Sequence, residues 1–363
     1  MVRILHAADL HLDSPFSGLT PEQAAQRRKH QRRLPALIVD LANQRHCDLL
    51  LLAGDVFDGA RVCPETVEAL VRAFERFEGQ VFIAPGNHDP YRSGGAYERI
   101  KWSHNVHIFK SSTIEAVEWA EKNAVIYGAA FTAGERMDRP LAGFSVPQDD
   151  RLHVMVLHGD VTGGESHYGA IHPGEIAATG LDYLALGHIH QQSAVQKAGQ
   201  THWAYPGCPE GRGFDELGEK GVLAGEIGKG SAELRFMPLA RRKYEILTVD
   251  VTDREAEEAV RQALPVSAAM DIIRVRLVGE TEEKGVDLYR LQERLGGLCY
   301  ALELRDETTV RLDLAAAAGE DSLRGLFLRR MREKIADTET DEEKRIAEDA
   351  LRMGLAALSG REL

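Results

Sequence analysis

The chain is an acidic protein of ordinary globular composition. It has 363 residues, with 57 Asp and Glu against 44 Lys and Arg, and a formal net charge of −13; this length predicts about two domains. Hydrophobic residues make up 44% of the chain and charged residues 28%, which excludes wholesale disorder. No apolar run approaches the roughly 18 residues of a membrane helix, and the N-terminus lacks the apolar region of a secretory signal. We therefore expect a cytoplasmic protein with no membrane segment.

The cysteines argue against two kinds of cysteine site, and the net charge argues only weakly against a nucleic-acid partner. Cys47, Cys63, Cys208 and Cys299 form no C-x-x-C pair, so a zinc ribbon or a thioredoxin-type site has no support, and we expect reduced packing residues. The acidic excess argues against a nucleic-acid partner, because affinity for a phosphate backbone comes largely from Lys and Arg. Carboxylates gathered around metal ions would remove that objection locally.

Residues 1–240 alternate short apolar runs with helical patterns, which indicates an α/β fold. Six runs predict strands, several too uniformly apolar to have a solvated face: residues 2–6, 48–53, 81–84, 125–128, 153–158 and 183–186. After the first run, Thr20 as N-cap, Pro21 and Gln23 predict the start of a helix. Three later runs, at 203–205, 221–227 and 232–237, follow one another closely, as antiparallel additions to a sheet do.

The pattern changes near residue 240. Strands at 245–251, 272–278 and 300–304 alternate with helices at 254–264 and 287–295, which predicts a compact β-α-β-α-β unit. Residues 321–358 are helical in pattern, with an acidic break at 337–343, and their mixture of basic and apolar side chains suits either packing on their own domain or binding a partner helix. We therefore predict a division into residues 1–240, 241–315 and 316–363.

Five polar segments each begin where a predicted strand ends. Their members are Asp9 and His11, then Asp55 and Asp58, then Asn87, His88 and Asp89, then His158 and Asp160, and last His188 and His190. Because ligands bind at the carboxyl ends of strands in open α/β sheets, these segments should converge. Each segment alone is weak evidence, since an Asp after Gly is usually a turn residue. Together they supply the mixed oxygen and nitrogen ligands of Mn²⁺, Fe²⁺ or Zn²⁺, and the lack of thiolate disfavours structural zinc.

In this order the five motifs resemble those of the calcineurin-like metallophosphoesterase superfamily. They read Asp-x-His, Gly-Asp-x-x-Asp, Gly-Asn-His-Asp, a His before Gly, and Gly-His-x-His, and they span residues 9–190. Residues 8–16 and 205–214 add a similarity to the SbcD-type DNA repair exonucleases, in particular their YhaO-like branch. The Arg-Gly and Glu of the phosphoprotein phosphatases are replaced by Gly59-Ala60 and Asp89. The resemblance implies a metallophosphoesterase α/β/β/α sandwich with a smaller C-terminal α/β cap domain and terminal helices.

The same resemblance implies a role for each motif residue. One divalent ion, most simply Mn²⁺, would be held by Asp9, His11, Asp55 and His190. A second would be held by Asn87, His158 and His188, with Asp55 shared. Hydroxide bridging the two ions would attack the phosphodiester. His88, a non-ligand histidine in the family, would assist the leaving group as a general acid.

Other polar residues near these motifs allow more than one interpretation. Asp13, Asp58, Asp89 and Asp160 could orient metal-bound histidines or stabilise turns. We expect structural roles for five histidines without a motif position. Two of them, His167 and His172, fall on a loop that we expect near the site, and the other three are His6, His153 and His202. Cys208 stands where the family usually has a small hydroxyl or amide residue, which leaves the role of segment 205–214 open.

The resemblance also implies partners. Five of the seven residues from Arg27 to Arg33 are Lys or Arg, and this basic cluster fits a solvated helix face as well as a phosphate contact. SbcD-like nucleases act on DNA with an SbcC-like ABC-type ATPase that docks on the C-terminal region, and related nucleases commonly form homodimers. We expect phosphodiester hydrolysis of DNA by an exonuclease that can also act as a single-strand endonuclease. The alternatives are a phosphodiesterase for small molecules or nucleotides and a non-catalytic DNA-binding scaffold for the ATPase.

Overall fold

The computed structural model of the protein describes residues 1–281, 285–311 and 321–358. The chain divides into two compact units. The first consists of Met1–Ile246, Ser267–Ile273 and Cys299–Ala301, and the second of Leu247–Val266, Arg274–Leu298 and Leu302–Leu363. The three-part division expected from the sequence stays a prediction.

Two six-stranded sheets form the frame of the first unit. Its strands are β1 (Val2–Ala7), β2 (Leu49–Leu52), β3 (Gln80–Ile83), β4 (Val106–Ile108), β5 (Glu115–Trp119), β6 (Ala124–Gly128), β7 (Leu152–His158), β8 (Asp160–Val161), β9 (Ala170–Ile171), β10 (Tyr183–Gly187), β11 (Gln196–Ala198), β12 (Thr201–Ala204), β13 (Gly221–Gly228) and β14 (Ser231–Pro238). The sheet orders are β14-β13-β1-β2-β3-β4 and β11-β12-β10-β7-β6-β5, and β8 pairs with β9. The six strands predicted first are confirmed to within one residue at each end. The sequence analysis missed β4, β5 and β11, which lie at sheet edges and lack a continuous apolar run, and it also missed the two-residue strands β8 and β9.

The strand directions correct one expectation. Strands β1, β2, β3 and β4 run parallel, and β13 and β14 are antiparallel additions, as expected. The run at 203–205 was expected to be antiparallel as well, but β12 is parallel to its neighbour β10 and antiparallel only to β11. The reason is that β11 intervenes between them along the chain, so that β12 returns in the direction of β10.

The hydrophobic core of the first unit lies in layers. Ile4 and Leu51 of one sheet meet Val154 and Tyr183 of the other, and all four are fully buried. The helices of this unit are α1 (Pro21–Gln31), α2 (Leu34–Gln44), α3 (Pro64–Glu75), α4 (Ala96–Arg99) and α5 (Pro173–Thr179). Helices α2 and α3 pack on the outer face of the first sheet, and α5 packs on the outer face of the second. The result is the α/β/β/α sandwich that the resemblance implied.

Helix α1 begins as the sequence predicts. The Thr20 hydroxyl accepts a hydrogen bond from the Gln23 backbone N–H at 3.3 Å, and the Gln23 side chain accepts one from the Thr20 N–H at 3.2 Å. With Pro21 at the first helical position, this capping box satisfies donors that a helix start would otherwise leave unpaired.

The remaining elements follow the predicted order. They are β15 (Tyr244–Asp250), α6 (Ala256–Ala263), β16 (Ile272–Val278), β17 (Glu280–Thr281), α7 (Leu288–Leu295), β18 (Ala301–Asp306), β19 (Thr309–Val310), α8 (Leu323–Ala336) and α9 (Asp341–Leu358). Strands β15, β16 and β18 form a three-stranded sheet, in that order. Helices α8 and α9 pack through Leu328, Leu351 and Leu355, and the acidic break predicted at 337–343 contains the turn between them. Among the described residues, no helix is long and apolar enough to cross a membrane.

Candidate metal centre

The predicted site residues follow strand ends in an unusual backbone conformation. Asp9, His11, Asp55 and His188 have φ angles of +53°, +43°, +50° and +114°, a region that non-glycine residues rarely occupy. The loops after β1 and β2 fix this conformation together, because the Asp9 N–H donates to Gly54 O at 3.0 Å and the His11 N–H donates to Asp55 O at 2.9 Å. Backbone strain of this kind persists where the surrounding structure enforces it, and it clusters at functional sites.

Two glycines allow the strand-end loops to approach each other. Gly54 has a φ of +87°, and a methyl group there would overlap the His158 imidazole; a methyl group on Gly86 would overlap the Asp55 carboxylate. At these two positions the close approach requires the absence of a side chain.

The structure brings three overlapping groups of ligand atoms together, one of which consists of His11, Asp58 and His88. Asp9, His11 and His190 have ligand atoms within 4.8 Å of one another, and so do Asp9, Asp55 and His158. Asp55 Oδ2 lies 3.6 Å from His11 Nε2 and 3.5 Å from His158 Nε2. The Asp55 carboxylate therefore faces histidines of both proposed ligand sets, as the role of shared ligand requires.

The two other proposed ligands adjoin these groups. Asn87 Oδ1 lies 2.9 Å from His158 Nε2. The His188 ring packs edge-on against His158, with 5.3 Å between ring centroids, and its backbone N–H donates to the Asp9 carboxylate at 3.1 Å. The Tyr168 ring also contacts His188, at 5.0 Å between centroids, so the loop that contains His167 adjoins the site.

Three of the imidazoles are held so that their lone pairs converge. Nδ1 of His11 lies 2.9 Å from Asp58 Oδ1, Nδ1 of His158 lies 2.9 Å from Ala53 O, and Nδ1 of His190 lies 2.7 Å from Glu216 Oε1. The acceptors assign the proton of His11 and His158 to Nδ1 and leave the lone pair on Nε2. Nδ1 of His190 also lies 3.2 Å from a donor, Arg212 Nη2, but the carboxylate oxygen of Glu216 is closer, so the same tautomer is assigned.

The convergence of these lone pairs has a chemical consequence. The Nε2 atoms of His11 and His190 are only 3.2 Å apart. Nε2 of His158 faces the side-chain amide oxygen of Asn87. Acceptors that face each other at such distances repel unless a cation offsets their partial charges. The arrangement therefore fits metal binding in which each imidazole is oriented through its other nitrogen.

Burial favours the neutral forms of His11, His188 and Asp9, whereas at Asp55 burial is outweighed by the neighbouring histidines, which lower the pKa. Burial lowers the pKa of His11 and that of His188 to about 4, so both rings are neutral near pH 7 and free to bind a metal. Burial, and secondarily the charge of Asp55, raise the pKa of Asp9 well above its usual value. Buried neighbouring carboxylates are costly when ionised without a compensating cation. Carboxylate, imidazole and carboxamide ligands without thiolate suit borderline divalent ions such as Mn²⁺.

His88 lies beside these ligands but differs from them. Its ring centroid is 4.7 Å from that of His11, and its side chain is 44% exposed, whereas that of His11 is fully buried. Its Nδ1 lies 3.4 Å from Asp58 Oδ1, and the hydrogen bond to Asp58 raises the pKa of His88. An accessible imidazole that gains protons easily suits a proton donor better than a metal ligand.

The four neighbouring aspartates were expected either to orient histidines or to stabilise turns, and the structure shows contacts of both kinds. Asp58 orients His11, whereas Asp13 accepts hydrogen bonds from the Cys63 N–H and the Thr66 hydroxyl at the start of α3. Asp89 accepts hydrogen bonds from the backbone N–H groups of Phe57 and Gly86 and from the Tyr97 hydroxyl. Asp160 has no hydrogen-bonded histidine in the part of the chain that the structure describes. The orienting role therefore belongs to Asp58, and the turn-stabilising role to Asp13 and Asp89.

The sequence analysis missed two residues that contact the proposed ligands or the groups that orient them. Glu216 accepts the hydrogen bond from His190, and Arg212 donates to Glu216 at 2.8 Å and to Asp58 at 3.1 Å. Segment 205–214 was noted for its similarity to the SbcD-type exonucleases, but nothing in it pointed to His190. Cys208 is buried beside these groups, with its Sγ 3.6 Å from the His190 carbonyl oxygen.

The basic cluster on α1 is not a single surface. Arg27 is fully buried, forms an ion pair with Glu210, and donates to Gly211 O at 2.6 Å. Arg32 donates to the Thr66 hydroxyl at 2.9 Å. The expectation of a solvated face or a phosphate contact is therefore wrong for Arg27. Its buried counter-ion is far away in the sequence, which is why the sequence did not indicate it.

Comparison with known proteins shows similarity to metallophosphoesterases and to a nuclease subunit. Residues 2–192 match the calcineurin-like phosphoesterase family. The chain is 34% identical to the uncharacterized metallophosphoesterase YhaO of Bacillus subtilis over 269 residues, which cover 71% of this chain and 65% of YhaO. It is 36% identical to the SbcD component of the SbcCD nuclease of Rhodobacter capsulatus, over 66% of this chain and 70% of that protein.

A more distant similarity links the chain to a repair protein. It is 24% identical to the DNA double-strand break repair protein Mre11 of Methanopyrus kandleri, over 72% of this chain and 62% of that protein. The chain thus spans slightly less than two thirds of the YhaO and Mre11 proteins that it matches.

Proposed function

This chain belongs to the calcineurin-like phosphoesterase family, and from that premise we propose that it hydrolyses phosphodiester bonds in DNA with two divalent cations. The observation that carries the proposal is the convergence of histidine Nε2 atoms and buried carboxylates at one set of strand ends. The choice of DNA is supported by relatives that are named as a nuclease component and as DNA double-strand break repair proteins.

The ligands divide into two sets. Asp9, His11, Asp55 and His190 would hold one cation, and Asn87, His158 and His188, together with Asp55, would hold the other. Two bound cations, for which Mn²⁺ is the expected metal, supply Lewis-acid polarisation of the phosphodiester and a lowered pKa of water. The chain itself orients the imidazoles and keeps bulk water away from the buried carboxylates.

His88 is the proposed proton donor. Asp58 accepts a hydrogen bond from His11 and also lies 3.4 Å from His88, so one carboxylate positions a ligand and the proposed acid. A protonated His88 would donate to the departing 3′-oxygen as the phosphodiester bond breaks.

The proposed partners involve the C-terminal helices. On α8 and α9, Leu323, Leu326 and Ile346 are 69%, 49% and 60% exposed, which supports a surface for an SbcC-like ABC-type ATPase. A second copy of the chain is a further proposed partner. Because the net charge of −13 gives weak non-specific affinity for DNA, a partner that holds DNA near the site would matter.

The deciding experiment compares substrates. Metal-free protein receives Mn²⁺ and is assayed on single-stranded DNA, double-stranded DNA and bis-p-nitrophenyl phosphate, with Asp55→Asn as a control that removes a ligand charge at nearly constant shape. We expect Mn²⁺-dependent digestion of DNA by the natural protein and none by the variant.

The other outcomes identify the alternatives. Hydrolysis of the small ester alone would indicate a small-molecule or nucleotide phosphodiesterase. DNA binding with no hydrolysis of any substrate would indicate a non-catalytic scaffold.

A further inference from the structure

One arginine joins the two carboxylates that orient histidines of the same ligand set. Asp58 accepts the hydrogen bond from His11, and Glu216 accepts that from His190. Arg212 Nη1 lies 3.1 Å from Asp58 Oδ1, and its Nη2 lies 2.8 Å from Glu216 Oε1 and 3.2 Å from Nδ1 of His190 itself. The guanidinium therefore offsets the negative charges of both carboxylates and fixes their separation with its planar arrangement of donors.

The guanidinium is itself held in place. The backbone N–H of Arg212 donates to Glu216 Oε2 at 2.7 Å, and its Nε lies 3.2 Å from Glu216 Oε1. The preceding residue, Gly211, accepts a hydrogen bond from the buried Arg27. Only 20% of the Arg212 side chain is exposed, so little freedom is left for it to swing toward a substrate.

The other ligand set does not use this arrangement. His158 is oriented by a backbone oxygen, Ala53 O, and His188 by ring contacts with His158 and Tyr168. A change at Arg212 should therefore reach only one of the two sets.

We propose that Arg212 is a positioning residue that tunes the affinity of one cation position, the one formed by Asp9, His11, Asp55 and His190. The proposal rests on the metal centre of the proposed function. Loss of Arg212 leaves Asp58 and Glu216 with an unbalanced repulsion and lets the His11 and His190 rings turn. Changes to groups that orient metal ligands typically cost 10–100-fold in metal affinity.

The test measures Mn²⁺ binding to metal-free protein by isothermal titration calorimetry, one position at a time. His188→Ala removes a ligand of one position and leaves intact the position that contains His190. His190→Ala removes a ligand of that position and leaves intact the one that contains His188. We expect R212Q to weaken Mn²⁺ binding about 10–100-fold in the His188→Ala background and to leave it unchanged in the His190→Ala background.

Arg151 offers a matched control. It also joins two carboxylates, Asp149 and Glu118, is 31% exposed, and its partner Asp149 contacts a histidine, His153. This cluster lies at the opposite end of β7 from His158. We expect R151Q to leave Mn²⁺ binding unchanged in both backgrounds.

Each other outcome overturns a distinct statement. Unchanged binding by R212Q in the His188→Ala background, or equal weakening in both backgrounds, overturns the role of Arg212. A higher KM for DNA with unchanged Mn²⁺ affinity also overturns it, in favour of a phosphate contact. If the natural protein binds no Mn²⁺, the proposed metal centre fails as well. Should R212Q not fold, R212K tests the planar fork alone, because lysine keeps the charge without the fork. Weaker Mn²⁺ binding confined to the His188→Ala background would again support the role, and unchanged binding there would overturn the positioning by the fork.

Discussion

At the scale of single residues, the hydrogen bond of Nδ1 decides whether Nε2 of the same histidine has a lone pair for a metal. His11, His158 and His190 each direct Nδ1 toward an acceptor on the chain, and this leaves Nε2 as a potential metal ligand. His88 also lies beside Asp58, but it is exposed and its pKa is raised. Residues of one type are therefore suited to two different chemical roles because their surroundings differ.

The role of His88 can be separated from that of the ligands. His88→Ala should lower DNA hydrolysis by about 10²–10⁴-fold, the usual contribution of a general acid, while two Mn²⁺ ions still bind. Activity assays and calorimetry on the same preparation check this. Because His88 also has a ligand atom within 4.8 Å of atoms of His11 and Asp58, loss of one Mn²⁺ in the variant would instead make His88 a ligand.

A buried histidine outside the site should make stability depend on pH. His6 Nδ1 lies 2.9 Å from the Tyr183 hydroxyl and its Nε2 lies 3.1 Å from Leu186 O, and burial lowers the pKa of His6 from 6.5 to about 3. Between these pH values the unfolded chain binds a proton that the folded chain does not. The unfolding free energy should therefore decrease as the pH is lowered below about 6.5, by up to ~1.4 kcal/mol per pH unit.

Urea unfolding between pH 4 and 7 on metal-free protein measures this effect. The His6→Asn variant should show a shallower dependence on pH than the natural protein. Parallel profiles for the two proteins would show that His6 contributes nothing to the dependence.

At the scale of elements, α1 and segment 205–214 are joined by a buried ion pair. Arg27 of α1 pairs with Glu210, and their side chains are 0% and 3% exposed. The Arg27 guanidinium also lies 5.0 Å from the centre of the Phe16 ring. This contact anchors the segment that carries Arg212. Helix α1 also contacts the loop after β1 directly, because the Gln31 side chain donates to the His11 carbonyl oxygen at 2.7 Å, and so α1 helps to form the site.

Breaking this pair should be costly. Arg27→Met leaves Glu210 buried without a counter-ion, and we expect a loss of about 3–5 kcal/mol in the unfolding free energy. Urea unfolding measures it. The double variant with Glu210→Met should recover much of the loss, since no unpaired charge remains; an equal loss in both variants would show that packing, not charge, sets the cost.

At the scale of the whole molecule, the net negative charge repels DNA, the proposed substrate. The exception is the site, where bound cations would attract it. The net charge of −13 opposes DNA, and the site itself adds the buried carboxylates of Asp9 and Asp55. Divalent cations would reverse the local charge there, and screening limits the influence of distant groups to about 8 Å at physiological salt. Local charge thus matters more for binding than the total.

Metal removal should destabilise the folded protein. Cations that bind only the folded state raise the unfolding free energy by about 2.7 kcal/mol at a concentration 100 times the dissociation constant. The melting temperature should fall when a chelator is added and recover with excess Mn²⁺, as differential scanning calorimetry can measure. Asp55→Asn should show little response, and an equal response in that variant would place the stabilising cation elsewhere.

The sequence by itself determined the buried central strands and the motifs of the proposed ligands. The buried strands are continuous apolar runs, and Asp9, His11, His188 and His190 each follow such a run directly, so a local pattern contains both the element and the position of the ligand at its end. The same local information predicted the capping box at Thr20, since a helix start depends on neighbouring residues only.

Only the tertiary structure decided which groups pair across the chain. Glu216 orients His190, Arg212 reaches Asp58 across 154 positions, and Arg27 meets Glu210 across 183. It also decided that β12 runs parallel to β10. The choice of a counter-ion or a neighbouring strand depends on which distant segments the fold brings together, and no local pattern encodes it. The sequence therefore showed which residues could bind metal, and the fold showed which residues hold them in position.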